Sequence, residues 1–551
     1  MAKILKIRLF ETAVHALLAA LVVVLAGPVE TSAQDWSQWG GSTGRNMVCT
    51  KGEFPVNFIP GRLDGQGRID PATTRNVAWV AKLGTHTYGN PVVAEGRVLV
   101  GVNDAALRDS RFKRTKGGML LCFDEKSGKR LWHLVVPRLT EKIDDNEFDD
   151  MDLGICSSPT VADGRVYVVT NRCEVLCLDI KGLDDGNEGP FLDESRYMQG
   201  PGAGKLTQVA GLADIIWRYD MFHKLGIAPH DASNCSPLLV DGVLYVATSN
   251  GCDRRWGVDV APRPNAPSLV AIDAKTGKLL AVDDVGLGRK FFHGQWSSPS
   301  AGKVAGKWQI YYGGGDGVLY AFEHVEKVPA KPARNAKPAT LKKIWSFDCN
   351  PPDFKVREGK KIDYWEGDLS RNNDKPRTYK GPNEIIATPV FFKGRVYIAT
   401  GRDPVHGLAA AVLYCIDASG KGDVTATAGV WSYKKIVRSI SSVTIADGLL
   451  YAADLAGVLH CVDAANGRGI WTHKTKSEIW ATPMVADGKI YLGGLDRNLW
   501  VFQAGRKKKQ LAKIRLRAPI CTTPVGANST LYIATDKRLY AVKTIDNKKA
   551  Q

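Results

Sequence analysis

Residues 159–168 read Pro159-Thr160-Val161-Ala162-Asp163-Gly164-Arg165-Val166-Tyr167-Val168, and this stretch decides the fold. Proline opens a short strand at the one position where no ladder donor is lost. Asp163-Gly164 supplies the positive φ of a tight hairpin. Val166-Tyr167-Val168 then alternates faces as a second strand, with branched and aromatic side chains suited to pleated packing. Further along, Gly457-Val458-Leu459-His460-Cys461-Val462-Asp463 reads as a third strand, which Asn466-Gly467 turns into a fourth ending at Trp471. Four strands in a unit of about 40 residues are the make-up of a propeller blade.

The start of this unit recurs at Pro91, Pro159, Pro237, Pro299, Pro389, Val443 (where Val replaces Pro), Pro483 and Pro524, and the hairpin dipeptide recurs at Asp241-Gly242, Asp447-Gly448 and Asp487-Gly488. The last two spacings, 40 and 41 residues, show the bare repeat, and the longer ones carry insertions. The reading is an all-β chain forming a single eight-bladed β-propeller of four-stranded antiparallel blades, or seven blades if one unit is degenerate. The last unit stops after its third strand, Leu539-Tyr540-Ala541-Val542, and Asn76-Val77-Ala78-Trp79-Val80 can supply the missing fourth. Closure by the N-terminal strand leaves no open edge between blades. Trp132, Trp217, Trp345 and Trp431 match Trp471 in the unit and are expected to pack between neighbouring blades. Residues 76–545 therefore form the propeller, 34–75 an N-terminal extension and 546–551 a tail.

Ala271-Ile272-Asp273-Ala274-Lys275-Thr276-Gly277-Lys278 resembles the repeat of the quinoprotein (PQQ-like) propeller family, a likeness that runs from Asn76 to Val542. The opening Asp35-Trp36-Ser37-Gln38-Trp39-Gly40 is similar to the start of many secreted proteins of this kind. The resemblance implies a fold and leaves activity open, because the repeat residues hold blades together.

The N-terminus sets the expected compartment. Lys3, Lys6 and Arg8 precede an apolar stretch from Ala13 to Ala26, interrupted by His15, and Thr31-Ser32-Ala33 offers the small residues that a signal peptidase reads. Residues 1–33 are thus expected to be a signal peptide, with export to the periplasm or medium. The apolar run falls short of the ~20 residues of a spanning helix. The first cysteine, Cys49, lies too far from the cleavage point for lipid attachment. The net charge of +17 suits either simple solubility or anionic partners such as wall polymers, lipid headgroups or an acidic envelope protein. Export makes nucleic acid a poor partner, and a monomer is expected.

In each unit the loop entering the inner strand and the turn after the second strand share one face, here called the top. Insertions at 103–117, 137–155, 220–234, 251–267, 349–385 and 402–410 fall on it, whereas 181–213 and 323–340 fall below. Elaborated loops on a rigid scaffold are the usual place for recognition. Three residues before each repeat start the chain should enter the central channel, at Tyr88, Cys156, Asn234, Trp296, Ile386, Ile440, Trp480 and Cys521. Trp296 and Trp480 can stack on a flat ligand or sugar, or plug the channel. Arg172, Arg402, Asp403, His406, Asp454, Asp496 and Arg497 in the neighbouring turns suggest a polar mouth.

Among eleven cysteines, Cys122, Cys177, Cys415 and Cys461 share one repeat position and read as core. Cys156 and Cys173 are 17 apart, as are Cys235 and Cys252, each pair linking an inner strand to the following top turn. Two intra-blade disulfides are expected, with a four-cysteine metal site as the alternative. Cys49 with Cys521 is a weaker pairing, and Cys349 is left over.

The resemblance raises an enzymatic reading, a PQQ- and calcium-dependent dehydrogenase of alcohols or sugars. That family implies an axial cofactor, an Asp base and adjacent cysteines. No two cysteines are adjacent here and no Cys-x-x-Cys-His is present, which excludes an attached c-type haem. The run Asp144, Asp145, Glu147, Asp149, Asp150 and Asp152 reads as a solvated loop or ion-binding rim, and ten scattered histidines outline no triad. No catalytic residue and no metal ligand is assigned. The reading that leads is a non-catalytic binding or scaffolding propeller of the cell envelope, with no cofactor required. Lys342-Lys343 and Lys507-Lys508-Lys509 are basic stretches able to attract a partner.

Overall fold

The computed structural model describes residues 34–141, 148–200, 202–252, 261–326, 337–364, 366 and 378–545. Residues 1–33, expected to be a signal peptide, the expected tail 546–551 and Asp144, Asp145 and Glu147 lie outside the described residues.

The eight repeats form eight blades. Blade 2, for example, runs outward from Thr160–Ala162 at the axis through Arg165–Val169 and Glu174–Asp179 to Asp214–Asp220. The other inner strands are Val92–Ala94, Leu238–Val240, Ser300–Val304, Val390–Phe392, Thr444–Ala446, Met484–Ala486 and Val525–Ala527. Blade 8 is closed as expected: Val77–Lys82 pairs antiparallel with Arg538–Val542, placing Trp79 opposite Ala541. Asp163, Asp241, Asp447 and Asp487 all adopt positive φ, as the hairpin reading requires.

A bulge recurs between the third and fourth strands of every blade. It explains both the tryptophans and the shared cysteine position. Cys122, Cys177, Cys415 and Cys461 stand opposite Trp132, Trp217, Trp431 and Trp471, where only a small side chain leaves room for the indole. Each indole N–H then donates to a carbonyl of the next blade: Trp132 to Ile180 (2.8 Å), Trp217 to Ala274 (3.0 Å), Trp345 to Ala418 (3.2 Å), Trp431 to Ala464 (3.0 Å) and Trp471 to Gly505 (2.9 Å). The Thr-Gly turn completes this joint. Gly277 has φ +70°, and a Cβ there would lie 2.6 Å from the Trp217 ring.

The inner ends of the blades are tied by a belt of side chains one residue before each repeat start. Backbone N–H groups donate to the next blade's side-chain oxygen: Asn90 to Ser158 (3.0 Å), Ser158 to Ser236 (3.1 Å), Ser236 to Ser298 (3.0 Å), Thr388 to Ser442 (3.0 Å), Ser442 to Thr482 (3.0 Å), Thr482 to Thr523 (2.9 Å) and Thr523 to Asn90 (2.6 Å). At the remaining step Ser297 Oγ donates to Ala387 O (2.8 Å), and Trp39 Nε1 donates to Thr388 Oγ1 (3.1 Å). A hydroxyl or amide at this position satisfies a strand-end donor that the buried channel wall would otherwise leave orphaned.

Trp39 belongs to the N-terminal extension, which closes the bottom of the ring. Trp36 exchanges backbone bonds with Val93 (2.7 and 3.0 Å), and Val161, Ala301, Phe391 and Val485 donate to Ser37, Thr43, Gly44 and Met47. Asn46 brackets Ile445 with its side chain, and Val48–Cys49 adds to blade 7 as a parallel strand. Arg45 is fully buried at the centre of this latch and donates to the carbonyls of Trp39 (2.6 Å), Pro237 (2.9 Å) and Pro299 (3.1 Å). Burial pushes its pKa down to about 9, so it stays charged at neutral pH. Gly40 is required here, since a Cβ would sit 2.4 Å from Arg45 Cα.

Candidate functional site

The latch turns the channel into a cup open at the top, with a volume of about 400 Å³. All eight residues expected three positions before the repeat starts line it: Tyr88, Cys156, Asn234, Trp296, Ile386, Ile440, Trp480 and Cys521. Trp39 and members of the belt, among them Ser236, Ser298, Ser442 and Thr482, also line it, and Asp231 and Asp403 add its two carboxylates. Trp296 and Trp480 wall this space, and the closing role falls to the extension. Trp480 stacks on Tyr88 (ring centroids 5.9 Å, 23° between planes) and donates to Glu478 Oε2 (2.9 Å). Trp296 is nearly buried and donates to His230 O (3.2 Å). Burial pushes the Cys156 thiol up to about 12 and holds Cys521 well above its usual value, with Asp536 adding to the effect on Cys521, which disfavours the thiolate at both.

The other expected mouth residues divide. Asp403 reaches the cup and also caps the turn Pro404–His406 by accepting from Val405 N (2.9 Å). Arg402 is buried beside it, donating to Pro382 O and Tyr364 O and lying 3.7 Å over the Tyr364 ring. His406 is buried with its ring edge-on to His293, centroids 4.9 Å apart. Arg172 turns instead to Glu174 (3.6 Å) and the Tyr197 ring. Asp454 and Asp496 accept from Val458 N (2.9 Å) and Asn498 N (3.1 Å) and so brace their own turns, the usual work of aspartate there. Arg497 borders a separate cleft with Arg515, Arg517 and Pro60.

No disulfide joins the described residues, among them all eleven cysteines. Cys156 Sγ faces the Gly154 carbonyl (3.7 Å) at the cup, while Cys173 donates to Thr248 O of the next blade (3.2 Å). Cys235 Sγ accepts from Ala247 N (3.1 Å), and Cys252 packs with Ala261 and Phe291. Cys49 Sγ faces Lys51 O (3.2 Å) at the latch, whereas Cys521 Sγ faces Asp536 at the cup wall.

Sequence reasoning missed a polar cluster behind the wall. His230 Nε2 and His293 Nε2 stand 2.7 Å apart, with Asp231 Oδ1 3.5 Å from the first. Nearby, Glu384 is fully buried, bonded by the Tyr364 hydroxyl and by Gly294 N (3.3 Å). Desolvation raises its pKa to about 8, Tyr364 and Arg402 working against it. His230 and His293 are 63 residues apart on different blades, so no spacing announces them.

PQQ, a quinone bearing three carboxylates, does not fit this lining. Its anionic groups would meet Asp231 and Asp403 and find no arginine or lysine among the described lining residues, nor a vicinal cysteine pair.

No helix among the described residues is long and apolar enough to cross a membrane. No curated protein matches the chain. Among solved structures, BamB from Moraxella catarrhalis aligns over 86% of this chain and 98% of its own at 10% identity, with a TM-score of 0.48. A europium-containing methanol dehydrogenase aligns over 91% of this chain and 89% of its own at 12% identity, with a TM-score of 0.53. At such identities the likeness to the dehydrogenase shows the fold alone. A family model described as outer membrane protein assembly factor BamB matches residues 67–289 and 336–543. With that match spanning most of its blades, the chain belongs to the PQQ-like β-propeller family.

Proposed function

We propose that this is an exported, non-catalytic binding propeller of the cell envelope, which captures a neutral or cationic ring-bearing ligand in its axial cup. One observation carries the reading: a dead-ended cavity of about 400 Å³ walled by Tyr88, Trp296 and Trp480, floored by Trp39 and side-chain hydroxyls, with Asp231 and Asp403 as its charges. Aromatic faces with a ring of hydroxyls match a sugar, whose C–H faces stack while its hydroxyls find partners. Burial raises the pKa of each cup thiol, which favours anchorage over thiolate chemistry in the lining. Export rests on the N-terminal sequence.

The test is a tryptophan-fluorescence and calorimetric titration with mono- and disaccharides, run alongside PQQ with calcium. Saturable quenching by a sugar that Trp480→Ala weakens about tenfold, with no micromolar PQQ binding, is the expected outcome. One-to-one PQQ binding at micromolar concentration or tighter would overturn the reading in favour of the dehydrogenase.

A further inference from the structure

Two imidazoles brought together in a protein interior need a reason. His230 is 0% exposed and His293 1% exposed, yet their Nε2 atoms point at one another across 2.7 Å. Asp231 adds a carboxylate, and one donor atom from each of the three lies within 4.8 Å of the others. The backbone is shaped to hold this arrangement. Cys252 N donates to His293 O (2.9 Å), Gly251 N to Ala228 O (2.8 Å) and Trp296 Nε1 to His230 O (3.2 Å). Asn250 accepts from Ala228 N through its side chain (2.9 Å). Gly251 leaves the space for His230: a Cβ on it would come within 2.7 Å of the His230 Cβ.

We infer that His230, Asp231 and His293 form a binding site for a divalent transition-metal ion of the zinc type, set in the wall of the cup. Two neutral imidazoles and one carboxylate are the donors such ions take, while calcium and magnesium prefer oxygen alone. Bonds of ~2.0–2.1 Å at tetrahedral angles put ligand atoms ~3.3 Å apart. The imidazole pair therefore opens by roughly 0.6 Å as the ion enters and Asp231 closes in. Asp231 also borders the cup, which sets the site in the cup's wall. A third imidazole, His406, stands edge-on to His293 at 4.9 Å. This site stands apart from the sugar-binding reading, since its three donors are defined whether or not a ligand enters the cup.

The experiment uses Co²⁺ as a spectroscopic probe on chelator-treated protein, with Zn²⁺ in competition. The expected result is uptake of one Co²⁺ per chain with visible absorption bands, displaced by Zn²⁺ and unmoved by excess Ca²⁺. His230→Ala, His293→Ala and Asp231→Asn each weaken binding about tenfold or more, while His223→Ala, at an exposed site, leaves it unchanged. Asp231→Asn keeps the shape of a partly exposed side chain, so its loss of binding is read on folded protein, checked by its unchanged melting temperature without metal. Absence of the Co²⁺ bands, or uptake indifferent to all three substitutions, would mean that the imidazoles only hydrogen-bond to each other, and the site falls.

Discussion

Replacing Arg45 with alanine tests whether the extension holds the ring shut from below. Its guanidinium meets three carbonyls at 2.6, 2.9 and 3.1 Å, with Gln38 Oε1 and Ser236 O farther out at 3.3 and 3.4 Å. A hydrogen bond to a charged group contributes about 1.5–3 kcal/mol, so the three short ones represent roughly 5–9 kcal/mol before offsets. Against this stands the desolvation of a buried cation, several kcal/mol, which the variant recovers. A net loss of about 3 kcal/mol remains, enough to raise the opened population of residues 34–58 roughly 100-fold. Limited proteolysis with mass spectrometry reads that opening directly: cleavage within 34–58 should accelerate strongly while the blades stay intact. The melting temperature should fall by about 3 °C if the whole ring unfolds as one unit, since the unfolding entropy of so long a chain is large. Arg45→Lys keeps the charge but has one compact donor head in place of the planar fork, and should behave almost as badly. Cleavage within twofold of wild type in Arg45→Ala would refute the account, because the latch would then be held by its backbone bonds alone.

Three further outcomes follow from the geometry. Trp480→Ala should weaken the cup's ligand about tenfold, through loss of the face stacked on Tyr88, with little change in melting temperature. Gly277→Ala should destabilise the protein by about 2–3 kcal/mol, as left-handed strain adds to a clash with Trp217; Gly242→Ala, at φ +80° with nothing within 4 Å, should show only the strain of about 1 kcal/mol in the same denaturation assay. Asp214 is fully buried and its pKa is raised to about 7, chiefly by desolvation and then by the neighbouring carboxylates Glu194, Asp179 and Glu188. A raised carboxylate favours the fold most below its ordinary pKa of 3.8 and loses that contribution as pH climbs through about 7. Asp214→Asn should therefore match wild type near pH 4 and exceed it at pH 8, by at most ~4 kcal/mol, and equal melting temperatures at pH 8 would refute it.

The chain by itself determined the blade, because everything a blade needs is local: a proline at a strand start, Asp-Gly at positive φ, alternating side chains and a tryptophan opposite a small residue. Repetition then pointed to eight blades, with seven left open for a degenerate unit, and the incomplete last unit announced its partner in Val77–Lys82. Register along the repeat even named eight of the residues that line the cup, since ring symmetry carries one sequence position to the same place eight times. What only the tertiary structure decided lies where that symmetry is broken. The latch threads Trp39 and Arg45 under the axis, and nothing in residues 34–58 repeats. His230 and His293 meet because the 220–234 insertion and the connection that leads into Ser300–Val304 converge, and Cys156 and Cys173 find separate carbonyl partners, at Gly154 and Thr248. Short-range periodicity is written in the chain; contacts between unique segments exist only after the ring has closed and brought distant loops to a common axis.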